Sequence, residues 1–193
     1  MYKYIVFLIS IFLLSSCFWV SNNEKKETSK TTWLEIYSTW TFEVAVPVAW
    51  KKYKKDDNLL PKPIFWKVVL AASSKESSLW FYNNFVILSQ KLWTKINSLE
   101  YSTLNNVLSA KDYLEYNLLK ENEIYFPDKD KSKVYFFEAR YNAKSPKTYF
   151  IQTWKVCWEN WYLLTIWLNQ MVKNLDKYEK ILETFSCNIQ KKW

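Results

Sequence analysis

Lys147 to Leu168 reads KTYFIQTWKVCWENWYLLTIWL. Two runs rich in aromatic and β-branched residues, 147–157 and 161–168, face each other across Trp158-Glu159-Asn160. Such runs, separated by a few residues of turn chemistry, predict an antiparallel hairpin. Glu159-Asn160 is the expected tip, with Trp158 and Trp161 on its flanks. Turn flanks commonly hold glycine, which reaches positive φ without steric cost. Upstream, KVYFFEARYNA (133–143) is joined to the hairpin by Lys144-Ser145-Pro146. Short connections join spatial neighbours, so the three runs predict an antiparallel meander.

Further upstream, 34–37 and 42–47 predict two short strands, the second ended by Pro47. Runs 64–72 and 85–90 predict two more. Between 97 and 119 the period changes: Leu104, Val107, Leu108, Leu114 and Leu118 fall near one helical face. Asn97 and Glu100 supply an N-terminal cap signal for that helix. Residues 121–132 predict a polar loop broken by Pro127. A last helix is expected over 172–186, with Leu175, Tyr178, Leu182 and Phe185 as its apolar stripe. Strands with segregated helices indicate an α+β fold, an antiparallel sheet flanked by helices.

The chain begins MYKYIVFLISIFLLSSC. Lys3 precedes an apolar core, Ile5 to Leu14, of signal-peptide length and too short for an ordinary membrane span. Leu14-Ser15-Ser16-Cys17 resembles the bacterial lipobox, whose chemistry implies cleavage before Cys17 and acylation of that residue. The expected organisation is a lipoprotein signal peptide over 1–16, a lipidated Cys17 with a flexible polar tether over 17–32, and one domain over 33–193. The partner implied first is a membrane, reached through lipid on Cys17 from the extracytoplasmic side of the cell envelope.

Composition narrows function by exclusion. There is no histidine, so Ser-His and Cys-His nucleophile pairs are impossible. No phosphate loop or cofactor motif is legible, and Asp128-Lys129-Asp130 lacks the remaining ligands of a cation loop and reads as solvated charge. Cofactors and metals are therefore not expected, and neither is catalysis. With Cys17 set aside, Cys157 and Cys187 form an even pair that an oxidising compartment can join; two reduced thiols are the other reading. Lys51, Lys52, Lys54 and Lys55 form the densest basic run, on a chain of formal charge +8. That run suits anionic headgroups, an acidic envelope partner or plain solvation. A nucleic-acid partner is not expected outside the cytoplasm.

Glycine is absent while tryptophan occurs 12 times. Average usage would supply about 13 glycines. Some bacteria read UGA as glycine where other translation tables write tryptophan. Many of these tryptophans are therefore expected to be glycine in the cell, against the alternative of a Trp-rich, Gly-free protein. Trp40 and Trp93, which lie where strands meet polar residues, belong with Trp158 and Trp161 in this expectation.

The order of elements resembles the PsbP-like family of α+β sandwich proteins. FEVAVPVAWK (Phe42–Lys51) resembles its early F-x-h-x-h-P-x-x-W-K element, where h is apolar. WYLLTI (Trp161–Ile166) is similar to its G-Y-x-L-T strand, and YEKILETF (Tyr178–Phe185) to its closing Y-x-x-I-h-x-S-F helix. The resemblance implies a PsbP-like sandwich, a true tryptophan at Trp50 and glycine at Trp161. It carries over no catalytic residue. The resulting expectation is a membrane-anchored, non-enzymatic lipoprotein that binds an envelope protein or component, as an assembly or stability factor. The alternative is a lipoprotein that holds a lipid or other small apolar ligand.

Overall fold

The computed structural model describes residues 33–53, 66–78, 81–91, 93–140, 143–172 and 174–188. Cys17 and its neighbours, Lys54 and Lys55 lie outside these residues. The described chain contains strands β1 (Leu34–Ser38), β2 (Phe42–Pro47), β3 (Lys51–Lys52), β4 (Lys67–Ser78) and β5 (Phe81–Lys91). Helix α1 (Ser98–Ala110) precedes β6 (Leu114–Tyr125), β7 (Lys131–Arg140), β8 (Lys147–Cys157) and β9 (Asn160–Leu168). Helix α2 (Asp176–Glu183) and β10 (Ser186–Cys187) follow.

The strands form a seven-stranded sheet, in the order β3-β4-β5-β9-β8-β7-β6, and a three-stranded sheet, β1-β2-β10. All pairings are antiparallel. The meander β7-β8-β9 is present as its residues suggest, and it forms the middle of the large sheet. β9 shows why a run apolar at nearly every position can still be a strand. Tyr162, Leu164, Ile166 and Leu168 face one buried cluster, and Trp161, Leu163 and Trp167 face the other. A strand covered on both sides has no polar face to show.

The first cluster packs the small sheet and α2 against the large one, through Phe42, Val44 and Val46 of β2 and Ile181 and Leu182 of α2. Phe42 and Phe185 stack there at 5.1 Å between ring centroids. The second cluster lies under α1, where Phe137, Phe150 and Trp167 form a stacked aromatic row. The molecule is thus an α+β sandwich of three layers, with α1 outside one face of the large sheet and the small sheet with α2 outside the other.

Three expectations need correction. The helix expected over 97–119 ends at Ala110, and Leu114 to Tyr125 form β6, not a helix tail and a polar loop. β6 is an edge strand held by its ladder to β7, with most side chains exposed, so its own sequence carries little strand pattern. The closing helix spans 176–183 rather than 172–186, although Leu182 and Phe185 are buried as its stripe requires. Finally, the β8–β9 loop is Trp158-Glu159, because Cys157 pairs with Asn160. Trp161 is a buried strand residue and not a turn flank.

Candidate functional site

β7 and β8 bring a charged cluster to one end of the large sheet. Lys155 is buried on β8, and its Nζ donates to Oδ2 of Asp128 and Oδ2 of Asp130, each at 2.7 Å. It also lies 4.8 Å from the centre of the Phe126 ring. Ser98, the first residue of α1, donates through Oγ to Asp130 at 2.5 Å and accepts from the Val156 amide at 2.9 Å. Asp128 and Asp130 are therefore not merely solvated loop charge. They close the β6–β7 turn over a buried ammonium and fix the start of α1 to the sheet. Asn97 caps that helix by accepting from the Glu100 amide, as its position suggests.

Beside this cluster the sheet end opens into a cleft of ≈1300 Å³. One wall comes from the β5–α1 connection, with Lys91, Lys95, Asn97 and Glu100. The β8–β9 turn supplies Glu159 and Asn160, and the small sheet supplies Thr41 and Asn188. Apolar surface comes from Ile96, Val156 and Tyr162. Burial raises the Tyr162 phenol above its ordinary pKa, so it enters the cleft as a neutral hydroxyl at physiological pH. Trp93 and Trp158 stand on the rim, 93% and 74% exposed.

Cys157 lines this cleft and is joined to Cys187 by a disulfide, with Cα atoms 5.8 Å apart. The bridge ties the end of β8 in the large sheet to β10 in the small one. Asn188 continues that tie by donating its amide to the Thr41 carbonyl at 3.0 Å. The wall formed by Thr41 and Asn188 is thus covalently fixed to the β8–β9 hairpin.

The basic run is divided between roles. Lys52 Nζ sits 2.6 Å from Glu35 Oε1, across from β1, and desolvation lowers its pKa. Lys51 lies 5.0 Å from the centre of the Tyr53 ring. Both belong to β3, so the basic run, for which plain solvation is one reading, begins as a sheet edge. The structure does not bring these lysines to the cleft lining. Sequence reading missed the cleft because its walls come from four separate segments. It missed the role of Lys155 because nothing in a strand pattern marks one lysine as inward-facing.

The cleft has hydrogen-bonding groups, charges of both signs and an apolar base, which suits binding. Among the described residues no three metal-ligating side chains gather, and no helix is long and apolar enough to cross a membrane.

No family model matches the chain, and no curated protein matches it. Among solved structures, the chain is similar to the solution structure of cyanobacterial PsbP (CyanoP) from Synechocystis sp. PCC 6803. The TM-score is 0.50 at 9% identity, over 85% of this chain and 98% of that one. At that identity the likeness concerns the fold, which is PsbP-like.

Proposed function

We propose that the protein is a non-enzymatic lipoprotein, anchored through Cys17 on the extracytoplasmic side of a membrane, whose sheet-end cleft holds a segment of an envelope protein. The cleft itself carries the reading: it is large enough for an extended peptide and polar enough to pair its backbone. A disulfide through Cys157 ties its wall to the small sheet, as befits a site that must keep its shape outside the cell. A role in assembling or stabilising a membrane complex follows from this combination of anchor and peptide site.

The test is a photo-crosslinking amino acid at position 95, on the cleft wall, in living cells. Recovery of one envelope protein, lost when Glu100→Lys and Asn188→Ala are added, supports the reading. Labelling equal to that from a probe at position 176 in α2 contradicts it. The apolar base formed by Ile96, Val156 and Tyr162 favours one second reading, a small apolar ligand. Native mass spectrometry after incubation with a lipid extract separates the two.

Glycine in place of tryptophan at exposed turns belongs to the same proposal. Trp158 supports it directly, with φ 58° in the first central position of a two-residue hairpin loop. That is the position where a type II′ turn takes glycine. Trp40 and Trp93, both 93% exposed, fit the same substitution. Trp50 packs against the core and fits a true tryptophan. In the cell the cleft rim would then be backbone at 93 and 158, and the cleft correspondingly wider.

A further inference from the structure

Helix α1 is inside out for a surface helix. Its buried residues are Ser98, Tyr101 and Ser102, while Leu104, Val107 and Leu108 are 59%, 56% and 55% exposed. A helix packed on a sheet ordinarily turns its apolar stripe inward. The hydroxyls explain the inversion. Ser98 meets Asp130 and Val156, and Ser102 Oγ accepts from the Lys133 amide at 3.1 Å. These contacts orient the helix, and the i, i+3, i+4 aliphatic set is left facing water. Lys111, also exposed, follows one turn later. On the same side of the sheet Leu118, 42% exposed, pairs in register with Phe137.

We infer that this outward stripe of α1 is the face that lies on the membrane surface. The inference rests on the reading of Cys17 as the lipid anchor. Its size selects the occupant. A stable protein–protein contact uses about 20–30 residues from each side, and here three or four side chains are on offer. Shallow insertion at the headgroup boundary needs only such a stripe, reaching about 5–10 Å deep.

The anchor makes a weak contact sufficient, because a tethered surface meets the bilayer at high effective concentration. Reach is not limiting. The 16 residue steps from Cys17 to Trp33 span at most about 55 Å, whereas a domain of this size is about 40 Å across. The chain can therefore pass from β1, on the far side of the large sheet, around to the α1 side. A lysine one turn beyond the stripe can lay its stem on the apolar surface and keep its ammonium among the headgroups.

The test uses the mature lipidated chain, reconstituted in vesicles of phosphatidylethanolamine and phosphatidylglycerol with brominated acyl chains. An environment-sensitive fluorescent amino acid replaces Val107, or Asp176 in α2 as the opposite-face control. Quenching at 107 should be about threefold that at 176, since only an interfacial face comes within ~5–10 Å of the acyl region. Leu104→Ser with Leu108→Ser should abolish the difference. Equal quenching, or stronger quenching at 176, overturns the docking face. The mass of the Cys17 peptide from the same sample keeps the premises apart. An acylated Cys17 with no quenching at 107 refutes only the docking face. An unacylated Cys17 refutes the anchor and this inference with it.

Discussion

Trp158 and Trp154 sit four residues apart and ask opposite things of the same side chain. Trp158 is exposed with φ 58°, and an L-residue with a Cβ is destabilised there by about 1–2 kcal/mol relative to glycine. Trp154 is 1% exposed and meets Tyr135 edge-on at 6.0 Å. Trp158→Gly should therefore raise stability by about 1 kcal/mol, and Trp154→Ala should lower it by about 3–5 kcal/mol, both read from urea unfolding. Destabilisation by Trp158→Gly would contradict the turn assignment. Glycine in the native peptide spanning 158 would establish the recoding there, and tryptophan would refute it. Lys155 is a second residue whose role geometry decides. Lys155→Ala leaves two carboxylates facing each other at the start of α1. It should cost about 3 kcal/mol, the lower end for a broken buried pair, because water reaches both aspartates. A loss under ~1 kcal/mol, as for a surface pair, would contradict that role. Composition and its place beside the turn both mark Trp158 as anomalous in the sequence. Its expected position within the turn is off by one residue, because a one-residue shift in hairpin register leaves the residue types almost unchanged.

Among the elements, strands buried on two faces were the easiest to read and the edge strand the hardest. β8 and β9 announce themselves through runs rich in aromatic, β-branched and other apolar residues. β6 carries Asn117, Lys120, Glu121, Asn122 and Glu123 and breaks register twice against β7, so neither period survives in its sequence. α1 misleads for a different reason. Its aliphatic residues predict the buried face, but serine hydrogen bonds turn the helix the other way. Two measurements belong at this scale. Replacing Cys157 and Cys187 by serine frees a 30-residue separation between the two sheets. Loop-closure entropy then predicts a loss of about 3.5 kcal/mol in denaturant unfolding, and an unchanged midpoint would contradict the stapling role. The tyrosines around α1 set a pH limit. Burial pushes the phenols of Tyr116 and Tyr135 up to about 12, with Glu121 adding to both, and raises Tyr101 further. Their folded-state pKa values exceed the unfolded value, so their contribution is complete below about pH 10 and declines as pH rises toward 12. Unfolding free energy should fall across that window, and the share of near-ultraviolet phenolate absorbance that belongs to these buried tyrosines should appear only as the domain opens.

For the whole molecule, the three-layer sandwich follows from where apolar surface can be hidden, and its PsbP-like arrangement is supported by structural likeness over 85% of the chain. The cleft was not legible, since it is a property of how layers end and not of any one segment. The proposed anchor is the reverse case: its expectation rests on the first seventeen residues alone, and under that proposal it decides what every exposed face of the domain meets. Cleft binding and α1 docking both presuppose a domain held at a membrane, so the most direct measurement is the mass of the N-terminal peptide of the protein purified from its own cells. The expected result is a chain that begins at Cys17 and carries a thioether-linked diacylglycerol, with further acylation of its new amino group where the cell performs it. A chain that retains residues 1–16, or begins elsewhere with an unmodified Cys17, would contradict the anchor and both readings that depend on it.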